Sequence, residues 1–353
     1  MRRGWFRLRR TQWLIVLLLA SIAVHVALLV VLPGDGSWVE AVYARRIYPV
    51  IGPVVAFVPS LLPFSLGTTV IVALLVWAPV YLVLNIVRWR RGRLGFWRAG
   101  ERTLAGYVIV AAFLFHSFEL FWGYNYLRPP LEERLDLTAA DFSPELRSET
   151  ARYIVGQAVA TQVPVAEWDR AELDALVDAA MDRALRDLEG RGTPVVSPLK
   201  GGLTGHMLAL QGSGGVVIPQ SLEAHVDFGA PAHRLAFTAA HEKAHLAGFA
   251  RERDANFVAW YALTRADDPR LRYAGYFGVV RYFLNAETRE LALPLAADLA
   301  AVTNYRNSRV SEPVQRVHRR TYRVYLRANR MPAGFDDYSQ VWQLIQAWQQ
   351  LRE

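Results

Sequence analysis

Residues 241–245 read His241-Glu242-Lys243-Ala244-His245, two histidines four apart with a glutamate after the first. On an α-helix, residues four apart lie one turn above each other, so both imidazoles point at a single place. Neutral imidazole is a common zinc ligand, and two at this spacing fill two corners of a tetrahedron. Glu242 then stands close enough to contact a metal-bound water without being a ligand. The run 235–240, Leu-Ala-Phe-Thr-Ala-Ala, supplies good helix formers ahead of the motif, and Gly248 is placed to end the helix. The pattern predicts a metal site with Glu242 as general base.

A third ligand is expected downstream. The chain 251–261 reads as a second helix after the Gly248 stop, and its acids are Glu252 and Asp254. Two residues apart on a helix is about 200° of rotation, so only one of them can face the histidines. Glu252 shares its face with Ala255, Asn256 and Ala259, small residues that allow close helix approach. Glu252 is therefore the expected ligand, Asp254 the alternative, and Asn256 a hydrogen-bonding partner behind the ligands.

These residues carry a resemblance. HExxH followed by Glu-x-x-Ala-Asn resembles the gluzincin metallopeptidases, whose third zinc ligand is a glutamate on a following helix. More closely, the chain resembles a family of bacterial membrane-anchored HExxH proteins known as a domain of unknown function. The stretches that carry it are Pro63-Phe64-Ser65-Leu66-Gly67, Trp122-Gly123-Tyr124-Asn125-Tyr126-Leu127-Arg128 and residues 241–257, with Asp337-Tyr338-Ser339-Gln340-Val341 a weaker fourth. The likeness spans nearly the whole chain and implies one bound Zn2+ and a shared architecture. Lys243 and Asp254 depart from the residues most expected at their places.

The 353 residues contain no cysteine, which excludes disulfides and thiolate metal sites. The formal charge of +8 is concentrated in two places: residues 1–12 hold five Arg and no acid, and residues 88–102 hold six Arg and one Glu. Outside them the chain is near neutral, so the charge gives no support to nucleic-acid binding. Both basic clusters flank apolar stretches instead, as cytoplasmic loops do.

Those stretches divide the chain. Residues 13–32, 66–87 and 103–122 are each long and apolar enough to cross a bilayer. Residues 48–64 are apolar but carry Pro49, Pro53, Pro59 and Pro63; counting them as a fourth span would put the 88–102 arginines outside. They read as an interfacial or re-entrant piece. Residues 1–127 are thus a three-span anchor in the inner or plasma membrane with a cytoplasmic N-terminus, and residues 128–353 an extracytoplasmic domain. His25, His116 and Glu119, in or near the spans, read as helix-to-helix hydrogen bonders.

Within 128–353, Ser143-Pro144 and Asp169-x-x-Glu172 mark helix starts. The stripe Leu173, Leu176, Val177, Met181, Leu185 and Leu188 marks a core face ending near Gly190. The fold expected is mainly α, three transmembrane helices followed by a gluzincin-like α+β domain with a small edge sheet. Gly215, Val216, Val217 and Ile218, bounded by Pro219, form a short strand. By the gluzincin resemblance it would be the edge that pairs with an extended peptide substrate. His206, His225 and His233 read as loop histidines. Arg316, Arg319, Arg320, Arg323, Arg327 and Arg330 line one helix face, solvated or set against anionic lipid. Tyr305, His318 and Tyr322 are oxyanion-donor candidates by residue type alone. The expected function is a membrane-anchored zinc metallopeptidase acting on peptide or protein substrates; a zinc-binding sensor-transducer and a catalytically silent scaffold are the rivals.

Overall fold

The computed structural model describes residues 10–31, 36–140, 142–165, 167–329 and 340–352. The helices Arg10–Val31 (α1), Tyr48–Leu61 (α2), Leu66–Arg90 (α3) and Phe96–Phe121 (α4) come first, with a wide-turn helical stretch Val39–Ile47 running into α2. After a short turn at Gly123–Leu127 come α5 (Leu131–Arg134), α6 (Pro144–Ala160), α7 (Arg170–Glu189) and α8 (Gly202–Gln211). Strands β1 (Gly215–Ile218) and β2 (Glu223–Val226) form an antiparallel pair. The chain ends with α9 (Ala232–Leu246), α10 (Glu252–Thr264), α11 (Pro269–Val280), α12 (Ala296–Arg309), α13 (Glu312–Ala328) and α14 (Val341–Arg352). The fold is mainly helical with one small sheet. Of the resemblance at 337–341, residues 337–339 lie outside the described residues, as does Arg330.

Among the described residues, four helical stretches are long and apolar enough to cross a membrane: 10–27, Val39–Leu61, Leu66–Arg90 and Phe96–Phe121. The second is continuous helix despite Pro53 and Pro59, where the prolines had suggested a broken segment. Burial of one face explains how it persists. Gly52 lies against Val195 and Leu222 of the polar body, and Tyr48 Oη donates to Leu246 O at 2.8 Å. Between α1 and α4, Ser21 Oγ meets His116 Nε2 at 3.1 Å, and in the turn after α4 Tyr124 Oη meets His25 Nε2 at 3.4 Å.

The body is built around α9 and α10. Asp169 caps α7 by accepting from Glu172 N, and Gly190 ends it in the left-handed region at φ 69°. Leu173, Val177, Met181 and Leu185 are buried beside α9 and α10, which carry Ala236, Ala240, Ala244, Ala255 and Ala259 inward. Small residues bring these helices close. Three histidines read as loop residues lie inside elements instead: His206 in α8, His225 in β2 and His233 in the first turn of α9. His225 is fully buried, its Nε2 2.9 Å from Ser65 Oγ, because β2 passes the start of α3.

Lys243, inside the motif, is buried and structural. Its Nζ contacts Asp174 and Asp178 carboxylates at 2.7 Å each and donates to Ser197 O at 2.8 Å, fastening α9 to α7. At the other end of α7, Glu189 accepts from Arg128 at 2.9 Å and Arg134 at 2.5 Å. Burial alone would raise the Glu189 carboxyl; the guanidinium groups of Arg128, Arg134 and Arg191 outweigh it and hold the pKa down at about 2.

Replacing Lys243 by Met leaves two partly buried carboxylates without a counter-charge, so thermal or denaturant unfolding should register a loss of about 3 kcal/mol. A loss below about 1 kcal/mol would show that the carboxylates relax into solvent. Because the folded pKa of Glu189 is depressed, its contribution is complete above its ordinary value of 4.5 and is lost as pH falls toward about 2. Glu189→Gln should therefore flatten the acid limb of a stability-against-pH curve, and an unchanged limb would remove Glu189 as its cause.

Candidate metal centre

Helix α9 presents His241 and His245 from consecutive turns, and α10 begins at Glu252, pointing its first carboxylate back at them. His241 Nε2 and His245 Nε2 are 3.1 Å apart, and Glu252 Oε2 lies 3.1 Å from the first and 3.3 Å from the second. The three atoms form a nearly equilateral triangle. Ligands at about 2.0 Å from a tetrahedral zinc are separated by about 3.3 Å, so the triangle fits one face of such a tetrahedron. The donor set, two imidazole nitrogens and one carboxylate oxygen, is also what zinc takes at hydrolytic sites. Among the described residues these three form a group that could hold a metal ion, and all three are buried.

The surroundings orient the ligands. His245 Nδ1 is 2.7 Å from Phe249 O, so that nitrogen carries the proton and Nε2 is left for a metal. Tyr322 of α13 donates to Glu252 Oε1 at 2.5 Å, leaving Oε2 toward the histidines. His318 stacks on Tyr322, and Tyr325, three residues on, stacks on its other side. Burial disfavours a charged His245, but Glu252 outweighs it and lifts the imidazole to about 9. Glu252 is held well below the carboxylate range: burial opposes this, and His245 and His241 overcome it. A divalent cation held between these three groups would supply positive charge in place of the proton on His245.

Glu242 follows on the same helix. Burial pushes its carboxyl up to about 8, with His245 opposing and Glu252 adding to the rise. Its Oε2 is buried with no hydrogen-bond partner in the protein. It faces a cleft of about 60 Å³ that also touches His241, Gly215, Thr238, Asn256 and Arg234. That is room for about two waters. A buried carboxylate with an unused oxygen beside a water-sized space suits a proton acceptor. A larger hollow of about 870 Å³ beside Trp168 and His233 lies at the opposite end of α9 and contains none of these residues.

Strand β1 passes directly over Glu242. A Cβ on Gly215 would sit 2.3 Å from Glu242 Oε1, so any larger residue there would have to displace the Glu242 carboxylate. β1 pairs with β2 on one side only, with Gly215 opposite Val226 and Ile218 opposite Glu223; its other edge has no strand partner among the described residues.

The other expected residues fall in three places. Asp254 turns away from the imidazoles to Arg253, 3.4 Å from its Nε. Asn256 lines the cleft and reaches Tyr282 Oη at 3.5 Å. Tyr305 donates to Asp227 at 2.7 Å, beside Gly229. Of the three oxyanion candidates, Tyr322 contacts a ligand, and His318 reaches the site only through Tyr322. Sequence reading missed Arg234 and Arg281, which line the cleft. For Arg234 a signal existed: positions 234, 238, 241 and 242 lie on one helical face.

The end of α9 is met by residues that follow α4. Trp122 Nε1 donates to His245 O at 3.1 Å, and its ring lies 6.2 Å from the His245 ring, edge to face. Arg128 Nη1 donates to Gly248 O at 3.0 Å, where Gly248 turns the chain at φ 89°. Neither curated proteins nor solved structures gave a match to this chain. A family described as "Protein of unknown function (DUF3810)" matches residues 43–346, most of the chain and all of the triangle. On that match, the chain belongs to the DUF3810 family.

Proposed function

We propose that the protein is a membrane-anchored zinc metallopeptidase. The observation that carries the reading is the 3.1–3.3 Å triangle of His241, His245 and Glu252 beside the unpartnered oxygen of buried Glu242. A zinc ion held there would polarise a carbonyl and bring the pKa of a bound water to about 7. The chain's own groups supply the rest. Glu242 takes a proton from the attacking water as its oxygen bonds to the carbonyl carbon, then delivers that proton to the amide nitrogen as the C–N bond breaks. The unpaired edge of β1 offers backbone groups to an extended peptide, and Gly215 lets that peptide approach Glu242. Arg234, lining the cleft, adds positive charge where the carbonyl oxygen becomes negative. This combination of an HExxH helix, a following glutamate and an edge strand resembles the gluzincin arrangement.

The membrane reading is a three-span anchor with the N-terminus inside and residues 128–353 outside. The end of α4 and the start of α3 both touch the body, and His25 in α1 packs against Tyr124 beyond α4. The segment between α1 and α3 begins and ends on that same side: Glu40 accepts from Arg128 at 2.7 Å, and Leu62 O accepts from Lys200 Nζ at 2.5 Å. A helix tied to the body at both ends returns without crossing. The 88–102 arginines then face inward.

Glu242→Gln should bind about one equivalent of zinc, as the wild type does, while hydrolysis of an unfolded test protein falls by about a thousandfold. Equal cleavage by both proteins would end the peptidase reading. Tyr322→Phe removes the hydrogen bond to Glu252 and should weaken zinc affinity roughly tenfold in a chelator competition. Tyr305→Phe, altered at a residue bonded elsewhere, should leave affinity unchanged; parallel loss in both variants would make the effect one of folding.

A further inference from the structure

The height of the site above the bilayer can be measured from the residues that tie it to the anchor. On the metal side, Trp122 directly follows α4, and its ring is 6.2 Å from the His245 ring. On the strand side, Glu223 of β2 accepts from Leu66 N at 3.0 Å and Gly67 N at 2.7 Å, the first residues of α3. A Cβ on Gly67 would lie 2.8 Å from Ile218 Cγ2, so β1 ends against that same helical turn. From Ile218 to Gly215, over Glu242, is three strand steps, about 10 Å. Both halves of the site thus stand within about 10 Å of the ends of apolar helices, comparable with a headgroup layer of roughly 5–8 Å per leaflet.

A third marker agrees. α2 packs one face on the body through Gly52 and Tyr48, while Val50, Val54, Phe57 and Leu61 are between 62% and 71% exposed. That apolar row, at helical spacing, has no partner among the described residues, and a lipid surface would cover it. The body therefore rests directly on the lipid. Near β1, α8 is tied to the first turn of α3 by Thr204 Oγ1 and Thr68 Oγ1, 2.6 Å apart, and holds Leu203 exposed.

Resting on the metallopeptidase reading, we propose that the substrate is a polypeptide anchored in the same bilayer by a transmembrane segment of its own, cut a few residues beyond the membrane. An extended chain advances about 3.3 Å per residue, so a strand leaving the hydrocarbon beside Ile218 reaches Glu242 within roughly three to six residues. Pairing antiparallel to β1 makes that strand run outward from an N-terminal anchor. A free peptide has the same bonds available but lacks the local concentration that a shared membrane provides.

The test uses the full chain, zinc-loaded, in vesicles with three reporters. Each carries the same randomised eight-residue stretch: two residues beyond an N-terminal transmembrane segment, twenty residues beyond it through a Gly-Ser spacer, or on a free peptide. Mass spectrometry should find the proximal reporter cut at least tenfold faster than either other. Equal rates for the proximal and distal reporters overturn the inference and leave the peptidase reading standing. No difference from Glu242→Gln on any reporter overturns both.

The placement is checked without catalysis. The chain has no cysteine, so a fluorophore on Val216→Cys reports β1 alone. Lipids with headgroup nitroxides should quench it at least half as strongly as a fluorophore on Leu61→Cys. A fluorophore on Asp267→Cys, beyond the far end of α10 and about 20 Å along that helix from Glu252, should be quenched little. Quenching at Val216 as weak as at Asp267 overturns the inference even in an active enzyme.

Discussion

The last carbonyls of an α-helix have no partners within the helix; in α9 those of Lys243, Ala244 and His245 accept from the amides of Ala247, Phe249 and Gly248 in the turn that follows, and side chains from the first part of the chain add to them. Trp122 donates to His245 O and Tyr48 to Leu246 O, while Arg128 takes the carbonyl of Gly248 just beyond. The helix that carries both histidines thus ends in a turn at Gly248 that Trp122, Tyr48 and Arg128 brace from outside. The turn that follows is what brings Glu252 round to face them. The apolar helices and the triangle of donors are joined at this turn, and the triangle depends on how α4 and the body meet.

The buried charges around this junction follow the same logic. Lys243 faces α7 rather than the cleft, and its two aspartate partners fix the rotation of α9 from behind. Arg128 joins Glu40, ahead of α2, to Glu189 at the end of α7. Each pair lies between elements far apart in sequence. Such pairs set relative position more than they add net stability.

The sequence made the site legible where local geometry governs it. Four-residue spacing on a helix is enough to align His241 with His245, and the break at Gly248 is enough to expect a second helix bearing Glu252. The boundaries of α7 follow from Asp169 and Gly190, and β1 from the glycines and Pro219 around it. What stayed hidden depends on distant contacts. Tyr322 and Tyr305 are alike by type, and only the course of α13 across α10 puts the former on Glu252. The continuity of α2 was obscured by its prolines, since the face that sustains it packs on Val195 and Leu222, over a hundred residues away. His225 looked like a loop residue because four-residue strands carry too little periodicity to be recognised.

In the proposed three-span arrangement, the length and attachment of two helices would set how high the protein rides. α3 and α4 contain 25 and 26 residues, about 38 Å of helix, against roughly 30 Å of hydrocarbon. At the body's end neither has slack, because Glu223 holds the first amides of α3 and Trp122 is fixed beneath α9. The surplus length is left to the opposite ends, where Arg88, Arg90 and Arg98 can stretch toward water. In that arrangement thinner or thicker lipid would be absorbed by tilt and by those arginines, while the gap between the triangle and the lipid surface would keep its size.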